Sequence, residues 1–273
     1  MFNNYLEVPE ISSNSIEKID LRILGDTSGS MRIVDMPILD GSSQFGLSRA
    51  DFANNAISLI FDAIQKANQS LSSQNQARIY GYCFSTSAKA MGQLNIMTKT
   101  ILYGEIPTGV TNLQAGLELV LADANEAIRL DPSRKQVIII PTDGIPTNAQ
   151  GQNDAQAPTE KILGKLFRTI YQQAKSQSSD EALTIGFIQC TSNAQTFKDY
   201  CIANSMWDES GDTGTIYKDI LAATSFFNIA DNRLAELFSD IPYDIVDSIS
   251  ADDLYQDGKL RPIADIIAKM IAD

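Results

Sequence analysis

The stretch "DTSGSM" at residues 26–31 sets a carboxylate and two hydroxyls at alternate positions, Asp26, Ser28 and Ser30, close behind an apolar run at 19–24. In an extended chain, side chains at i, i+2 and i+4 point the same way, and Gly29 lets the backbone turn tightly between them. A second carboxylate, Asp143 in "VIIIPTDGIPTN", follows the apolar run at 137–140. Thr111 in "PTGVTNLQAGL" stands where a loop opens into a helical stripe, so it can bring a third hydroxyl to the same place. Hydroxyl and carboxylate oxygens are hard ligands, and converging carboxylates need a cation to offset their repulsion. Two carboxylates with three neutral hydroxyls suit Mg²⁺ or Mn²⁺, with water completing an octahedron. Ca²⁺ is a further hard cation of the same class, whereas the set does not suit zinc or copper. Two negative charges only just neutralise a divalent ion, which leaves it electrophilic toward one more anionic oxygen, such as a Glu or Asp carboxylate of a partner protein. Taken singly, each motif has a plainer explanation, a strand-to-loop turn in which Ser and Asp cap backbone groups.

Positioning these residues requires strands that end just before them. The runs at 19–24, 77–84, 137–140, 183–188 and 225–229 are short, rich in Ile, Val or aromatics, and bounded by Gly, Asp, Ser or Asn, which predicts strands. Between them lie stripes of helical period: Phe52, Ala56, Ile60 and Ile64 after the cap candidate Ser48; Leu113, Leu117, Val120 and Leu121 after Thr111; Ile162, Leu166 and Ile170 after Thr159; Leu234, Leu237 and Ile241 after Asp231. Strands alternating with amphipathic helices predict a Rossmann-like, doubly wound α/β fold: a mostly parallel six-stranded sheet with helices on both faces. A strand near 88–94, or further on near 99–103, follows residue 84 too closely for a helical crossover, so it is expected as the one antiparallel edge strand. Irregular stretches at 32–47 and 144–158 begin after strand ends and belong on the carboxyl edge of the sheet, where open α/β folds bind ligands. A third irregular stretch is expected at 207–223. The reading divides the chain into an N-terminal extension (1–18), one α/β domain (19–241) and a C-terminal extension (242–273) ending in an amphipathic helix that carries Ile263, Ile266, Ile267 and Met270.

Composition narrows the function. The formal charge of −13 repels nucleic acid and anionic membranes and favours cations or basic surfaces, so neither nucleic acid nor membrane is expected as a partner. No apolar run approaches the roughly 18 residues that span a bilayer, and "MFNNYLEVPE" lacks the features of a signal peptide, which makes a cytoplasmic location the default expectation. The three cysteines, Cys83, Cys190 and Cys201, lack metal-ligand spacing and read as reduced, packed thiols. There is no histidine, which removes Ser-His-Asp and Cys-His chemistry and every imidazole metal ligand.

The motifs together resemble the von Willebrand factor A (vWA) domain and its metal-ion-dependent adhesion site (MIDAS). That family carries Asp-x-Ser-x-Ser, then a Thr, then an Asp, which correspond here to Asp26, Ser28, Ser30, Thr111 and Asp143. The resemblance implies that these five residues hold a divalent cation, that the two serines bind it directly, and that the Thr and the aspartates bind directly or through water. It also implies that the cation recruits an acidic side chain of a protein ligand. "DTSGSM" and "TDGIPTN" look more like bacterial intracellular members than like integrin inserted domains. In some relatives a shift at the metal moves the last helix of the domain, which corresponds here to residues 233–240.

Two departures bear on access and ligand choice. The family's first helix starts soon after the second Ser, whereas residues 32–47 intervene here before Ser48 and are placed to cover or reshape the metal face. Thr108, three residues before Thr111, is a substitute ligand candidate, with Thr111 preferred because it directly opens a helix. Asp35, Asp40 and Asp51 read as solvated or capping charges, as does the acidic loop "DESGDTG" at 208–214. Trp207 is either a binding-surface anchor or a half-buried loop anchor.

A metal-dependent protein-binding module, not an enzyme, is the expected function. The alternative is a Mg²⁺-dependent hydrolase or phosphoryl-transfer enzyme with Asp26 as nucleophile or metal ligand. Enzymes of the haloacid dehalogenase type also place an aspartate after a first parallel strand, but they use a second aspartate two residues on as acid and base. Ser28 occupies that position here and cannot do this work near neutral pH.

Overall fold

The computed structural model describes residues 18–38, 44–94, 107–144, 146–147, 150–151, 183–237, 245–249, 255–256 and 259–260. Its centre is β1 (Ile19–Asp26), in which all eight residues are buried, as expected of a parallel strand covered on both faces. On one side β1 pairs in parallel with β4 (Arg78–Phe84), and β4 carries the antiparallel edge strand β5 (Ala88–Gln93). On the other side β1 pairs in parallel with β6 (Lys135–Thr142), followed by β7 (Leu183–Gln189) and β8 (Ile245–Ile249). The order β5-β4-β1-β6-β7-β8 gives five parallel strands and one antiparallel edge. The chain leaves β1 for β4 and returns across it to β6, so strand order reverses at the carboxyl ends of β1 and β6, the edge at which open α/β sheets bind ligands.

Among the described residues, two helices cover the faces of this centre. Helix α1 (Arg49–Asn68) is capped by Ser48, whose Oγ accepts from the Asp51 amide and donates to the Asp51 carboxylate. Its stripe Phe52, Ala53, Ala56, Ile57, Ile60, Ala63 and Ile64 is buried with Ile19, Leu21, Ile23, Ile79, Val137 and Ile139 in one core. Helix α2 (Leu113–Leu130), capped by Asn112, packs on the side of β1 that carries Leu24, with Leu117, Val120, Leu121, Ala124 and Ile128 buried. Gly116 makes this approach close: a Cβ there would lie 3.0 Å from the Phe84 ring.

Four of the five runs expected to form parallel strands do so. The fifth, 225–229, is instead part of a helix. Two helices follow β7, α3 (Ala194–Ala203) and α4 (Asp212–Leu237), and α4 contains both the 225–229 run and most of the stretch 207–223 expected to be irregular. The Ile220 and Ala223 side chains, one turn apart, are buried, so helical packing overrides the local strand preference of "SFFNI". The fifth parallel position is filled by β8, which lies beyond residue 241, where the sequence reading closes the domain. Residues 233–237 lie in helix α4, which is the last helix among the described residues and is followed in the chain by β8.

The insertion carries two strands. Residues 32–47 were expected to be irregular, but β2 (Val34–Pro37) and β3 (Phe45–Ser48) form an antiparallel hairpin leading directly into α1. Phe45 packs edge-to-face on Phe197 at 5.6 Å and lies 4.9 Å from Tyr200, which ties the hairpin to α3. Two short strands, β9 (Tyr255–Gln256) and β10 (Lys259–Leu260), pair antiparallel in the C-terminal segment. The N-terminal extension to residue 17, Asp40, the strand candidate at 99–103, the stripe at 162–170 and the helix expected around 263–270 lie outside the described residues.

Candidate metal centre

Asp26 is the last residue of β1, and Asp143 directly follows β6, so the two neighbouring strands bring both carboxylates to the same edge of the sheet. After Asp26 the chain enters a short 3-10 turn (Gly29–Arg32), preceded by Ser28 in an extended conformation. The Asp26 Oδ1 accepts from the Ser28 amide at 2.8 Å, and its Oδ2 accepts from the Thr142 hydroxyl at 2.6 Å. The Ser28 and Ser30 hydroxyls are 3.1 Å apart, and Ser30 Oγ donates to Asp143 Oδ1 at 3.0 Å. Four of the five residues singled out in the sequence therefore form one hydrogen-bonded chain.

Thr111 reaches the same edge through its backbone. Its amide donates to Thr147 Oγ1 at 3.0 Å, and its carbonyl accepts from the Thr147 amide at 2.8 Å, which ties the loop before α2 to the loop after Asp143. Its side chain makes no hydrogen bond to the other four. Thr108, the substitute candidate, is exposed, whereas Thr111 is buried. The same loop is laced to the first motif, because the Gly29 amide donates to the Gly109 carbonyl and the Thr108 amide to the Thr27 carbonyl. Gly109 has φ +87, and a Cβ there would lie 2.6 Å from Thr86 Oγ1, so this junction requires glycine.

The electrostatics of the two carboxylates differ. Burial first, and the charge of Asp143 second, push the Asp26 carboxyl up to about 7 against the hydrogen bonds from Thr142 and Ser28. Its contacts are neutral hydrogen-bond donors. Asp143 is also pushed up by burial, but Arg49 opposes that rise, its Nη1 donating to Asp143 Oδ2 at 2.7 Å. Arg49 is the residue that reading the sequence misses. Fully buried at the first position of α1, it also forks onto Asp35, Nε to Oδ1 at 3.1 Å and Nη2 to Oδ2 at 2.9 Å, and meets Asp219 of α4 at 2.8 Å. Burial works against its charge, but Asp35 and Asp143 outweigh that and hold the guanidinium protonated. Asp35 is thus a buried ion-pair partner, not the solvated charge expected, while Asp51 is the capping residue expected.

No protein-family model matches the chain. Over an alignment 145 residues long that covers 49 % of this chain, the sequence is 28 % identical to the thrombospondin-related anonymous protein of Plasmodium falciparum, and the match spans only 22 % of that protein's length. Among solved structures, proximal thread matrix protein 1 from the mussel byssus, with a zinc-occupied MIDAS motif, aligns at 13 % identity and a TM-score of 0.42, over 78 % of this chain and 48 % of that one. The PilB minor pilin of Streptococcus sanguinis aligns at 16 % identity and a TM-score of 0.42, over 82 % and 63 % of the two chains. BatB from Bacteroides thetaiotaomicron aligns at 14 % identity and a TM-score of 0.40, over 63 % and 66 %.

The donor set fits a hard cation. Among the described residues no three His, Cys, Asp or Glu side chains are grouped to hold a metal, so a cation at this edge relies on hydroxyl oxygens, and those of Ser28 and Ser30 lie between the two carboxylates. The Asp26 charge, buried without a cationic contact, is what such an ion would neutralise. Cys190 stands near this edge, but burial and then the charges of Asp143 and Asp26 push its thiol well above the ordinary range, which leaves it a packed, protonated side chain. The rim keeps some exposure, since Gly29 and Ser30 are half-buried and Arg32 is exposed. Trp207 is half-buried against Tyr217 with Lys198 over its ring, and Asp208 caps the turn at Ser210, so neither adds an oxygen to the site.

Proposed function

We propose that the carboxyl edge of β1 and β6 is a metal-dependent protein-binding site of the vWA type, in which Asp26, Ser28, Ser30, Thr111 and Asp143 hold Mg²⁺ or Mn²⁺. The observation that carries this reading is the chain of hydrogen bonds from Asp143 through Ser30 and Ser28 to Asp26, a buried carboxylate met only by neutral donors. Ser28 and Ser30 would present neutral oxygens, Asp26 a full charge, and Thr111 a hydroxyl from the loop locked to the opposite side. When bound, the cation supplies an electrophilic position for one oxygen of a partner's Glu or Asp. The half-buried rim at Gly29 and Ser30 is the approach for that side chain, and the hairpin, anchored on α1 and α3, flanks it. A hydrolase would need a general acid or base beside Asp26; its hydrogen-bonding neighbours are Ser28 and Thr142, which cannot serve as one near neutral pH.

Affinity capture from the source cell's lysate, with Mg²⁺ or with EDTA, on wild type and on Asp26→Ala tests this reading. The expected outcome is a protein retained by the wild type in Mg²⁺ and absent from the other three conditions. The same set of proteins in all conditions would overturn metal-mediated recognition.

A further inference from the structure

A cation at the first position of a helix faces the positive end of the helix dipole and is disfavoured there unless acids compensate it. Arg49 is such a cation, and three acids from three different elements meet it: Asp35 of the β2–β3 hairpin, Asp143 after β6, and Asp219 of α4. Two of its contacts go to Asp35 in a parallel fork, the geometry that fixes a guanidinium in one orientation. The remaining Nη1 is thereby aimed at Asp143 Oδ2, which leaves Asp143 Oδ1 facing Ser30. Asp26, by contrast, has only neutral donors. The two carboxylates of the candidate centre are therefore unequal, one met only by neutral donors and the other sharing its charge with a resident cation.

We propose that Arg49 is a positioning residue that acts through Asp143: by sharing that carboxylate's charge, it keeps the site a weak binder whose ion stays receptive to a partner's carboxylate. This rests on the metal-binding reading above. A divalent ion entering beside Ser30 has to share Asp143 with Arg49 and meets the repulsion of a second cation across one carboxylate. Arg49 also connects that carboxylate to the hairpin and to α4, so displacing either element changes how much of the Asp143 charge is left for the ion.

The test is Mn²⁺ binding to the full chain, read as free Mn²⁺ by electron paramagnetic resonance and by calorimetry with MgCl₂. The proteins compared are wild type, R49K, R49Q, the double variant D35N/R49Q and D26A. R49Q leaves buried acids without their cation and is the variant at risk of not folding, whereas D35N/R49Q removes opposite charges together and keeps amide donors and acceptors in place. An opposite charge beside a carboxylate shifts its proton affinity by about 1–3 units, so its removal is expected to tighten Mn²⁺ binding by roughly tenfold or more in each folded Gln variant. R49K keeps the charge and is expected to stay within about threefold of wild type. A purely structural role for Arg49 would loosen the site and lower affinity instead. Unchanged or weaker binding in every folded Gln variant, with wild type binding and D26A not, overturns the role of Arg49 and leaves the metal site standing. Absence of binding in wild type and all variants overturns both.

Discussion

Asp26→Asn is expected to raise the melting temperature of the metal-free protein at pH 8 and to lack the further rise expected of the wild type in Mg²⁺. The first effect follows from where the carboxyl sits. Burial, and then Asp143, push it from an ordinary value of 3.8 up to about 7. Between those values the folded chain holds a proton that the unfolded chain has released, so the metal-free protein loses stability as pH rises through this window and levels off above about 7. This sign is the reverse of that for a salt-bridged carboxylate. At about 1.4 kcal/mol per unit, the buried charge costs on the order of a few kcal/mol at pH 8. An asparagine keeps an oxygen for the Ser28 amide and sets its own amide against Thr142, whose hydroxyl can accept as well as donate. The second effect follows from mass action, because a ligand binding only the native state stabilises it by about 2.7 kcal/mol at a hundred times its Kd. Thermal melts at pH 5 and pH 8, each with EDTA and with Mg²⁺, check both effects. A variant that melts below wild type in EDTA at pH 8, or that keeps the Mg²⁺ response, would contradict this assignment of Asp26.

Asp20→Ala is expected to destabilise the fold by about 3–5 kcal/mol, the usual loss when one member of a buried ion pair is removed. Asp20 lies on the same strand and the same face as Asp26, six residues earlier, and is equally buried. Its surroundings are opposite. Burial on its own would raise the Asp20 carboxyl, but the hydrogen bonds and charges of Arg78 and Arg134 outweigh it and hold the group below its ordinary range. Arg78 forks onto both oxygens at 2.7 and 2.6 Å, and Arg134 Nε donates to Oδ1 at 2.9 Å. Arg134 is itself buried and also donates to the Ile19 and Gln76 carbonyls, so loss of Asp20 leaves a buried guanidinium without its counter-charge. The depressed carboxyl contributes stability that is present above its ordinary value of 3.8 and is lost as pH falls below it. Urea unfolding of wild type and variant at pH 7 measures the loss, and a change below about 1 kcal/mol would mean that these contacts are solvated in solution. The two carboxylates mark the two ends of β1, one compensated and structural, the other uncompensated and available to a ligand.

The clustering of Asp26, Ser28, Ser30 and Asp143 was legible because it is written in short spacings. Asp26, Ser28 and Ser30 alternate directly after a buried strand, and Asp143 follows the strand that neighbours it, so strand ends alone bring them together. Thr111 was legible only as far as its loop, since its backbone joins the edge while its side chain is not hydrogen-bonded to the other four. Arg49 went unnoticed although a signal was present: a basic residue placed immediately after the cap Ser48 opposes the helix dipole and calls for an acidic partner. Which acid that would be is a tertiary fact, because Asp143 and Asp219 come from distant elements and no local pattern distinguishes Asp35 from a solvated charge. In the fold, the alternating plan and the antiparallel edge at β5 follow from run lengths and connections. The exchange of 225–229 for β8 does not: "SFFNI" has strong strand character and "IVDSI" is interrupted by Asp and Ser, yet the first lies in a 26-residue helix and the second pairs with β7 at the far edge of the sheet. A strand with one neighbour tolerates polar interruptions that a central strand does not.

Anomalous diffraction from crystals grown with Mn²⁺ tests the metal centre most directly. The expected result is one strong peak at the carboxyl edge of β1, with the Ser28 and Ser30 hydroxyls at about 2.0–2.2 Å and the Asp26 and Asp143 carboxylates directly or through water around it. A well-ordered carboxyl edge with no peak there at saturating Mn²⁺, or a peak only at an unrelated surface site, would contradict it.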